Sequence, residues 1–270
     1  MSLFVLKIGG GAALLTPAAQ ENFCRDVVLA AKAGHRIVIV NGANSLLTSV
    51  QEERGITPRM ITSERGEKSR YTDEATITLL KEVYGNVNQT IAQLISEHGI
   101  KAEGYFCAEY NLLTAERHGK QRIVEDGKVK IIDGDLTGKI TSVNTEFMQK
   151  KLDASIVLVL TPPAITTDGV EVNVDGDKVA SNIATTLRAD KLIFFSDTAG
   201  LLRDITDPTS TITEIKISEA DQYAEGRMKK KVLSAKRAVE AGVREVMFAD
   251  GRRTTPLTDA LAGVGTKVHQ

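Results

Sequence analysis

Short β-branched runs alternate along this sequence with longer segments whose apolar residues recur at helical spacing. Residues 3–8 have the composition of a buried strand, residues 17–33 have an amphipathic helical pattern, and residues 36–40 form a second apolar run between Gly34 and Gly42. A strand, a helix and a strand in this order are typical of α/β proteins, in which helices cover a mainly parallel sheet. We therefore predict an α/β fold that begins almost at residue 1.

The same pattern continues to the end of the chain. Further helices are predicted over residues 45–54, 72–98, 177–188 and 227–241, and further strands over residues 155–160, 191–195 and 245–248. Residues 115–132, with turns at Gly119 and at Asp126-Gly127, predict a β-hairpin laid onto the main sheet, and residues 166–174 predict a second hairpin. Because no long linker divides the chain, we expect one domain over residues 1–270, with two lobes that meet near residue 175.

Charge and composition exclude several classes of function. The chain has 34 lysines and arginines against 35 aspartates and glutamates, so its net charge of −1 creates no global positive field for nucleic acid or an anionic membrane. Cys24 and Cys107 are far apart and the four histidines are scattered, so neither a disulfide framework nor a metal site is predicted. The apolar runs are far shorter than the roughly 20 residues of a membrane span. Since Lys7 interrupts the first apolar run, we expect a cytoplasmic protein without a signal peptide.

Two loops rich in small residues follow the first two predicted strands. They are K-I-G-G-G at residues 7–11 and N-G-A-N at residues 41–44. Ligands of open α/β sheets bind at the carboxyl ends of the strands, and glycine lets a phosphate approach backbone amides. Neither G-x-G-x-x-G nor G-x-x-x-x-G-K-[ST] is present, which disfavours a dinucleotide dehydrogenase and a P-loop NTPase. Two neighbouring anion cradles indicate a donor and an acceptor, although tight turns would also explain the glycines.

Two charged motifs occur where helices are predicted to begin. Asp177, in N-V-D-G-D, could take part in chemistry or could simply cap the helix that follows. Lys231 ends the run G-R-M-K-K-K, whose lysines could face a ligand or solvent. The residues alone leave both alternatives open.

Several motifs, in order, resemble those of the amino acid kinase family. They are K-I-G-G-G, N-V-D-G-D, S-D-T-A-G-L-L after a strand and G-R-M-K-K-K-V at a helix start. The chain is similar to the acetylglutamate kinases and more closely resembles the branch that acts on aminoadipate or glutamate held by an amino-group carrier protein. The closer resemblance rests on K-S-R-Y-T-D from residue 68, G-D-L-T-G from 134, T-P-P from 161, F-A-D-G-R from 248 and G-V-G-T near the end.

The resemblance implies an open three-layer αβα sandwich and a kinase that transfers the γ-phosphate of ATP to a side-chain carboxylate. The acceptor would be an amino-blocked glutamate or aminoadipate of lysine- or arginine-type biosynthesis, and the product an acyl phosphate. Lys7 and Lys231 would stabilise the transition state from opposite sides, and Asp177 would hold both ammonium groups. An acceptor and dimerisation lobe of about residues 1–175 would face a nucleotide lobe of about residues 176–270.

The resemblance also implies the binding residues. The acceptor would contact Gly42, Ala43, Arg70 and Asn173, with the last two gripping its α-carboxylate and blocked amine. The nucleotide would be bordered by Gly9, Gly10, Gly11, Ser196, Asp197, Gly200, Leu201, Leu202, Gly226, Met228 and Lys229. Mg²⁺ would be held mainly by ATP oxygens, because no carboxylate cage is evident in the sequence.

Two departures from the family pattern fall on the acceptor side. Asn41-Gly42-Ala43 replaces the usual His-Gly-Gly, and residues 105–111 are bulkier than the corresponding S-G-x-D-G segment of relatives and partly acidic. Ala43 and the pair Tyr105-Phe106 would crowd a pocket built for an acetyl group. We therefore predict an acceptor presented on an amino-group carrier protein.

Such carriers are usually acidic, and a basic rim would steer them. Arg65, Lys68 and Arg70 are close in sequence and could form that rim, although exposed charges are often merely solvated. The acceptor could instead be a phosphate or a carbamate, against which Arg70 and Asn173 argue. The chain could also be a non-catalytic nucleotide-binding regulator, a use against which the catalytic lysines argue.

The resemblance bears on assembly as well. Arginine-inhibited acetylglutamate kinases carry an extra N-terminal helix that links dimers into rings, and the first predicted strand leaves no room for that helix. We expect a homodimer that is joined through the N-terminal lobe and is insensitive to arginine.

Overall fold

The computed structural model describes residues 1–9, 11, 16–64, 66 and 68–270. Gly10 and Arg65, to which the sequence assigns binding roles, lie outside the described residues. The α-helices are α1 (Pro17–Lys32), α2 (Asn44–Glu53), α3 (Glu74–Glu97), α4 (Thr145–Asp153), α5 (Gly176–Thr186), α6 (Arg227–Glu240) and α7 (Pro256–Leu261).

The strands are β1 (Leu3–Ile8), β2 (Arg36–Asn41), β3 (Met60–Thr62), β4 (Lys68–Arg70), β5 (Ala102–Phe106), β6 (Leu113–Arg117), β7 (Gln121–Glu125), β8 (Lys128–Ile132), β9 (Gly138–Val143), β10 (Val157–Thr161), β11 (Ala164–Ile165), β12 (Glu171–Val172), β13 (Lys191–Ser196), β14 (Glu214–Lys216), β15 (Glu245–Asp250) and β16 (Thr266–His269). The central sheet has the order β14-β16-β15-β13-β1-β2-β10-β5. Its neighbouring strands are parallel, except that β15 and β16 are antiparallel.

Helices cover both faces of the central sheet. Successive residues of a strand point to opposite faces, so each buried strand supplies two cores. In β1, Leu3 and Val5 join the core formed with α4, α5 and α6, whereas Phe4 and Leu6 join the core formed with α1, α2, α3 and α7. The predicted α/β class and the three-layer αβα sandwich with a mainly parallel sheet are confirmed.

Most predicted elements are present within a few residues of their expected bounds. Strand β1 has the predicted limits, and α3 begins at Glu74 because the Asp73 carboxylate accepts the Thr76 N–H at 2.8 Å and caps the helix. The second hairpin is confirmed as the antiparallel pair of β11 and β12. None of the helices in the described part of the chain is long and apolar enough to cross a membrane.

The first predicted hairpin was placed wrongly. Strands β7 and β8 do pair around Asp126 and Gly127, both with positive φ, but they form a separate two-stranded sheet. Ile123 and Ile132 on one face of this hairpin pack with Ile61 of the β3–β4 hairpin, which explains why the pair lies there instead of on the main sheet. Strand β6 belongs to a different sheet, of order β12-β11-β6-β9.

Candidate active site

The carboxylate of Asp177 binds two lysines from distant parts of the chain. The Lys7 ammonium lies 2.9 Å from Oδ1 of Asp177, and the Lys231 ammonium lies 3.1 Å from Oδ1 and 3.2 Å from Oδ2. All three side chains are buried. The three residues that the sequence assigned to catalysis are therefore one contact group.

The three side chains meet because Lys7 leaves β1 on the face of the sheet that the helices carrying Asp177 and Lys231 cover. Lys7 follows Leu3 and Val5 at a spacing of two, so its side chain leaves β1 on the face that α5 and α6 cover. Helix α5 begins at Gly176, where an added Cβ would lie 3.5 Å from the Cε of Lys7. The start of α5 is therefore in contact range of the Lys7 side chain.

Helix α5 is capped by Asp175 and not by Asp177. The Asp175 carboxylate accepts the backbone N–H groups of Asp177, at 2.8 Å, and Lys178, at 3.3 Å. Since the cap is supplied by another residue, the alternative in which Asp177 only caps the helix is wrong. The Asp177 carboxylate is left free to bind the lysines.

Two ammonium groups share one counter-charge in this cluster. Burial disfavours the charged form of Asp177, but the charges of Lys7 and Lys231 and their hydrogen bonds outweigh burial, so the pKa of Asp177 falls to about 2. Burial and repulsion from Lys7 lower the pKa of Lys231, and Asp177 opposes this change only in part. The buried cluster has an excess of one positive charge when all three groups are ionised, and an anion would complete it.

The three consecutive lysines of α6, residues 229–231, differ in their exposure to solvent. Lys229 and Lys230 are exposed, whereas Lys231 is buried, so the solvated-face alternative holds for part of the run only. The Lys230 ammonium donates to the carbonyl oxygen of Lys68 in β4 at 2.8 Å. This bond joins the helix that supplies Lys231 to the strand that supplies Arg70.

The two loops of small residues follow adjacent strands, β1 and β2. Gly9 is buried, and Gly42 donates its N–H to the carbonyl oxygen of Ile8 at 3.3 Å, which holds the loops side by side. A Cβ on Gly11 would lie 3.2 Å from Oδ2 of Asp197, so the first loop also meets the loop that follows β13. The predicted phosphate loop and the predicted nucleotide segment therefore come together.

A buried amide network supports the second loop. Asn41, at the end of β2, accepts from the Asn88 side chain at 2.9 Å and donates to the Thr161 hydroxyl at 3.3 Å. The Thr161 hydroxyl in turn donates to the carbonyl oxygen of Asn41 at 3.1 Å. Asn41 is thus a structural link between β2, α3 and β10.

Helices α2 and α6 begin without a side-chain cap. The residues before them, Ala43 and Gly226, give no side-chain hydrogen bond to their first amides. By contrast, α1, α3, α4 and α5 are capped by Thr16, Asp73, Asn144 and Asp175. Uncapped amides and the positive end of the helix dipole favour an anion. Thr255, before α7, gives no such bond either, but the Asp26 carboxylate accepts the N–H groups of Leu257 and Thr258. Helices α2 and α6 both follow predicted binding loops.

Arg70 is buried without a carboxylate partner among the described residues. Its guanidinium donates to the side-chain oxygen of Gln51 and, at 2.7 Å, to the hydroxyl of Thr48, both in α2. Its Nε atom is buried and has no hydrogen-bond partner, and burial lowers the pKa of Arg70. A buried cation that is held by neutral groups is able to bind an anionic ligand.

Asn173 and the predicted nucleotide residues have different surroundings. Asn173 is half-buried, and its backbone pairs with Leu136 and Gly138. Ser196 is buried at the end of β13, and Asp197 is exposed just beyond it. Leu202, Gly226, Met228 and Lys229 are half-buried or exposed and are open to a ligand.

Two of the predicted nucleotide residues serve mainly the core. Gly200 has φ of 145°, and an added Cβ would lie 2.5 Å from the Thr266 hydroxyl. Leu201 is 1% exposed and packs in the core, and its N–H donates to the same hydroxyl at 2.8 Å. The Leu201 side chain therefore borders the core and not a cleft.

The structure also revises the crowding argument for the acceptor pocket. Tyr105 packs in an aromatic cluster with Tyr110 and Phe147, at centroid distances of 5.7 and 5.5 Å. Phe106 lies against α3, where a Cβ on Gly85 would lie 2.9 Å from its Cζ. The predicted crowding thus has structural support only from Ala43, which is fully buried beside Gly42.

Sequence reasoning missed the residues that hold the binding side chains. Thr48 and Gln51 lie one helical turn apart in α2, a spacing that places both on one face, and this was the signal available for the pair. In the described ranges, no group of three or more histidine, cysteine or acidic side chains is arranged to hold a metal. Cavities of about 400 and 360 Å³ lie elsewhere, beside β5 and between the carboxyl ends of α5 and α6.

Comparisons with known proteins agree with this geometry. A family model described as "Amino acid kinase family" matches residues 2–250. A "[LysW]-aminoadipate kinase" from Deinococcus radiodurans is 38% identical over 272 residues, which cover 99% of this chain and 92% of that protein. An "Acetylglutamate kinase" from Methanosarcina acetivorans is 30% identical over 277 residues, which cover 99% of this chain and 91% of that protein.

A solved structure shows the same fold. An N-acetylglutamate synthase from Neisseria gonorrhoeae, complexed with coenzyme A and N-acetyl-glutamate, superposes with a TM-score of 0.82 at 24% identity. The match covers 100% of this chain but 59% of that longer chain.

The shared counter-charge makes a prediction about stability. Asp177→Asn should lower the free energy of unfolding by about 3–5 kcal/mol at neutral pH, because two buried ammonium groups lose the carboxylate that pairs with both of them. The loss should shrink as the pH rises, since burial lowers the pKa of Lys231 in the folded chain, and the unfolded chain then binds more protons at Lys231 than the folded chain does. Urea unfolding at several pH values measures both effects.

The matched control for this measurement is Asp175→Asn. Asparagine caps a helix about as well as aspartate, so the control should cost less than about 1 kcal/mol. An Asp177→Asn loss no larger than that of the control would contradict the shared counter-charge.

Proposed function

The chain belongs to the amino acid kinase family, and we propose that it transfers the γ-phosphoryl group of ATP to the side-chain carboxylate of an amino-blocked glutamate or aminoadipate. The observation that carries the proposal is the buried Lys7–Asp177–Lys231 cluster, which has a positive excess beside two loops of small residues. A carboxylate kinase of lysine- or arginine-type biosynthesis needs such a cluster, because negative charge spreads over the transferred oxygens in the transition state.

The chemistry is a displacement at phosphorus. An oxygen of the acceptor carboxylate forms a bond to the γ-phosphorus as the bond to the bridging oxygen of ADP breaks, and the product is an acyl phosphate. Lys7 stabilises charge from the β1 side and Lys231 from the α6 side, while Asp177 keeps both ammonium groups in place. The first amides of α2 and α6 add donors that need no reorganisation during the reaction.

Binding of the acceptor uses the unpaired charge of Arg70. Its guanidinium is fixed by Gln51 and Thr48 and receives the α-carboxylate, while Asn173, Gly42 and Ala43 border the blocked amine. This arrangement suits an amino-acid acceptor, which has an anionic group besides the reacting one. A carbamate or a simple phosphate lacks that second group.

The nucleotide lies against Gly9, Gly11 and the segments that follow β13 and precede α6. Mg²⁺ would be held mainly by the phosphate oxygens of ATP and would neutralise part of their charge, since the Asp177 carboxylate is already occupied by two lysines. In this proposal residues of about 1–175 form the acceptor lobe and residues of about 176–270 the nucleotide lobe.

Replacing either catalytic lysine tests this mechanism. Lys7→Met and Lys231→Met should each lower kcat by about 10²-fold or more, with little change in the KM for ATP, because each removes charge that acts mainly in the transition state. The assay follows ADP release and traps the acyl phosphate with hydroxylamine. Arg237→Met removes an exposed positive charge from the same helix and should leave kcat unchanged.

Near-normal turnover in both lysine variants would contradict the mechanism. Release of ADP without any hydroxamate, for every carboxylate acceptor supplied, would instead contradict the proposed reaction.

We further propose that the acceptor is presented on an amino-group carrier protein. The similarity to a protein named "[LysW]-aminoadipate kinase" supports this choice, as does the methyl group of Ala43, which is buried beside Gly42. The kcat/KM for carrier-linked glutamate or aminoadipate should exceed that for free N-acetylglutamate by about tenfold or more, because the carrier adds contacts outside the reacting group. Parallel hydroxamate assays with the acceptors measure this ratio.

A ratio of one or below would contradict the proposal that a carrier protein presents the acceptor. The basic rim is tested separately, since Arg65→Glu combined with Lys68→Glu should weaken the carrier reaction and its salt dependence while free N-acetylglutamate is unaffected. A carrier rate that is unchanged by salt and by both substitutions would remove the rim from the proposal.

We also propose a homodimer joined through the N-terminal lobe. Strand β5 forms one edge of the central sheet and pairs only with β10 among the described residues, and an unpaired edge favours association with another chain. Light scattering should give twice the chain mass of 29.2 kDa, and arginine should not inhibit the reaction. A monomer, a mass near three dimers, or inhibition by arginine would each contradict the proposal.

A further inference from the structure

The loop of residues 134–138, with the sequence G-D-L-T-G, lies between the two side chains proposed to hold the acceptor. Its carboxylate, Asp135, is 2% exposed and forms no ion pair with the described residues. Such a group is costly to bury, because a carboxylate without a cation loses hydration that neutral donors restore only in part. The sequence gives no role to this motif beyond its resemblance to relatives.

Three neutral donors satisfy the Asp135 carboxylate. One oxygen accepts the backbone N–H of Thr72 at 2.8 Å. The other accepts the side-chain amide of Gln121 at 2.6 Å and the hydroxyl of Thr137 at 2.5 Å. The three donors come from the start of α3, from the β7–β8 hairpin and from the loop itself, so the carboxylate joins three separate segments.

From this point hydrogen bonds continue to both acceptor residues. Towards Arg70, the Thr72 hydroxyl donates to the Arg70 carbonyl oxygen at 3.2 Å, and Leu136 donates its N–H to the Thr72 carbonyl oxygen at 2.6 Å. Towards Asn173, the Asn173 N–H donates to Leu136 at 2.7 Å, and Gly138 donates to the Asn173 carbonyl oxygen at 3.0 Å. A continuous series of hydrogen bonds therefore connects Arg70 to Asn173 through this loop.

The other residues of the motif fit the same purpose. Gly134 has φ of 84°, which glycine adopts without strain. A Cβ on Gly138 would lie 2.9 Å from the Glu116 carbonyl oxygen and 2.9 Å from Cγ2 of Val172, so only glycine permits this approach. The loop of residues 134–138 is therefore a tightly packed connection between Arg70 and Asn173, with the Asp135 carboxylate at its centre.

We propose that Asp135 is a positioning residue that fixes the separation of Arg70 and Asn173 and so sets the affinity for the acceptor. The inference rests on the proposed function, in which these two residues hold the acceptor. A neutral amide cannot reproduce all three bonds, because it has one oxygen: either its NH₂ group faces the Thr72 N–H, or Gln121 and Thr137 must turn to accept instead of donate. An aspartate at this position therefore provides geometry that an uncharged residue of the same shape does not.

The decisive experiment compares Asp135→Asn with Asp26→Asn. Asp26 is also 2% exposed and accepts only neutral donors, the N–H groups of Leu257 at 2.6 Å and Thr258 at 2.8 Å and the Thr258 hydroxyl, but it caps α7. Asp135→Asn should raise the KM for the acceptor about tenfold or more and leave the KM for ATP within about twofold. Asp26→Asn should lower stability without changing either KM.

Hydrogen exchange gives a readout that does not depend on turnover. Asp135→Asn should accelerate amide exchange at Thr72, Leu136 and Asn173, whereas Asp26→Asn should accelerate it only near Leu257. If Asp135→Asn does not fold, Thr137→Val removes one of the three donors and should raise the acceptor KM about threefold.

The outcomes separate the two proposals. Absence of hydroxamate with the unmodified protein overturns the proposed function, whatever the variants do. Hydroxamate formation with an acceptor KM in Asp135→Asn no higher than in Asp26→Asn, or with equal rises in both KM values, overturns the positioning role alone. Unchanged exchange at Thr72 and Asn173 overturns it as well.

Discussion

The carboxylate of Asp177, shared by two buried ammonium groups, is the constraint around which the other catalytic elements are arranged. It requires β1, α5 and α6 to meet at one point, although β1 is separated from the two helices by more than a hundred residues of chain. It also requires that α5 be capped by another group, which Asp175 supplies. Because the cluster is buried, water screens its remaining positive charge only weakly, and this charge can attract an anion.

The parts of the site that depend on local pattern could be predicted from the sequence. Alternation along β1 places Lys7 on the same face as Leu3 and Val5, whereas the burial of Lys231 among the exposed lysines of its run was left open by the residues alone. The partners of Arg70 and the placement of the β7–β8 hairpin could not be predicted in this way. They depend on contacts between distant segments: the spacing of Thr48 and Gln51 places both on one face of α2 but does not identify the residue that they bind.

The acceptor side shows how two opposite charges are kept apart. Arg70 and Asp135 both lie next to Thr72 in the fold, yet each is bound by neutral groups rather than by the other. Had they formed an ion pair, both would be better compensated, but the guanidinium would have lost its capacity to bind a carboxylate. Burial of the two charges without an ion pair between them lowers the stability of the fold, as is typical of sites in which a charged side chain binds a ligand.

Because β1 is completely buried and its side chains alternate between two faces, the position of Lys7 along the strand decides whether its ammonium reaches Asp177. Both neighbours of this strand, β2 and β13, are parallel to it and hold its register, with Lys7 opposite Val40 and Phe194. A single-residue insertion before Lys7 would exchange the two core faces and turn the ammonium away from Asp177 in one step. An insertion of two residues would preserve the faces but shift the lysine along the sheet by about 7 Å. The length of the first strand before Lys7 therefore cannot change without loss of the catalytic cluster.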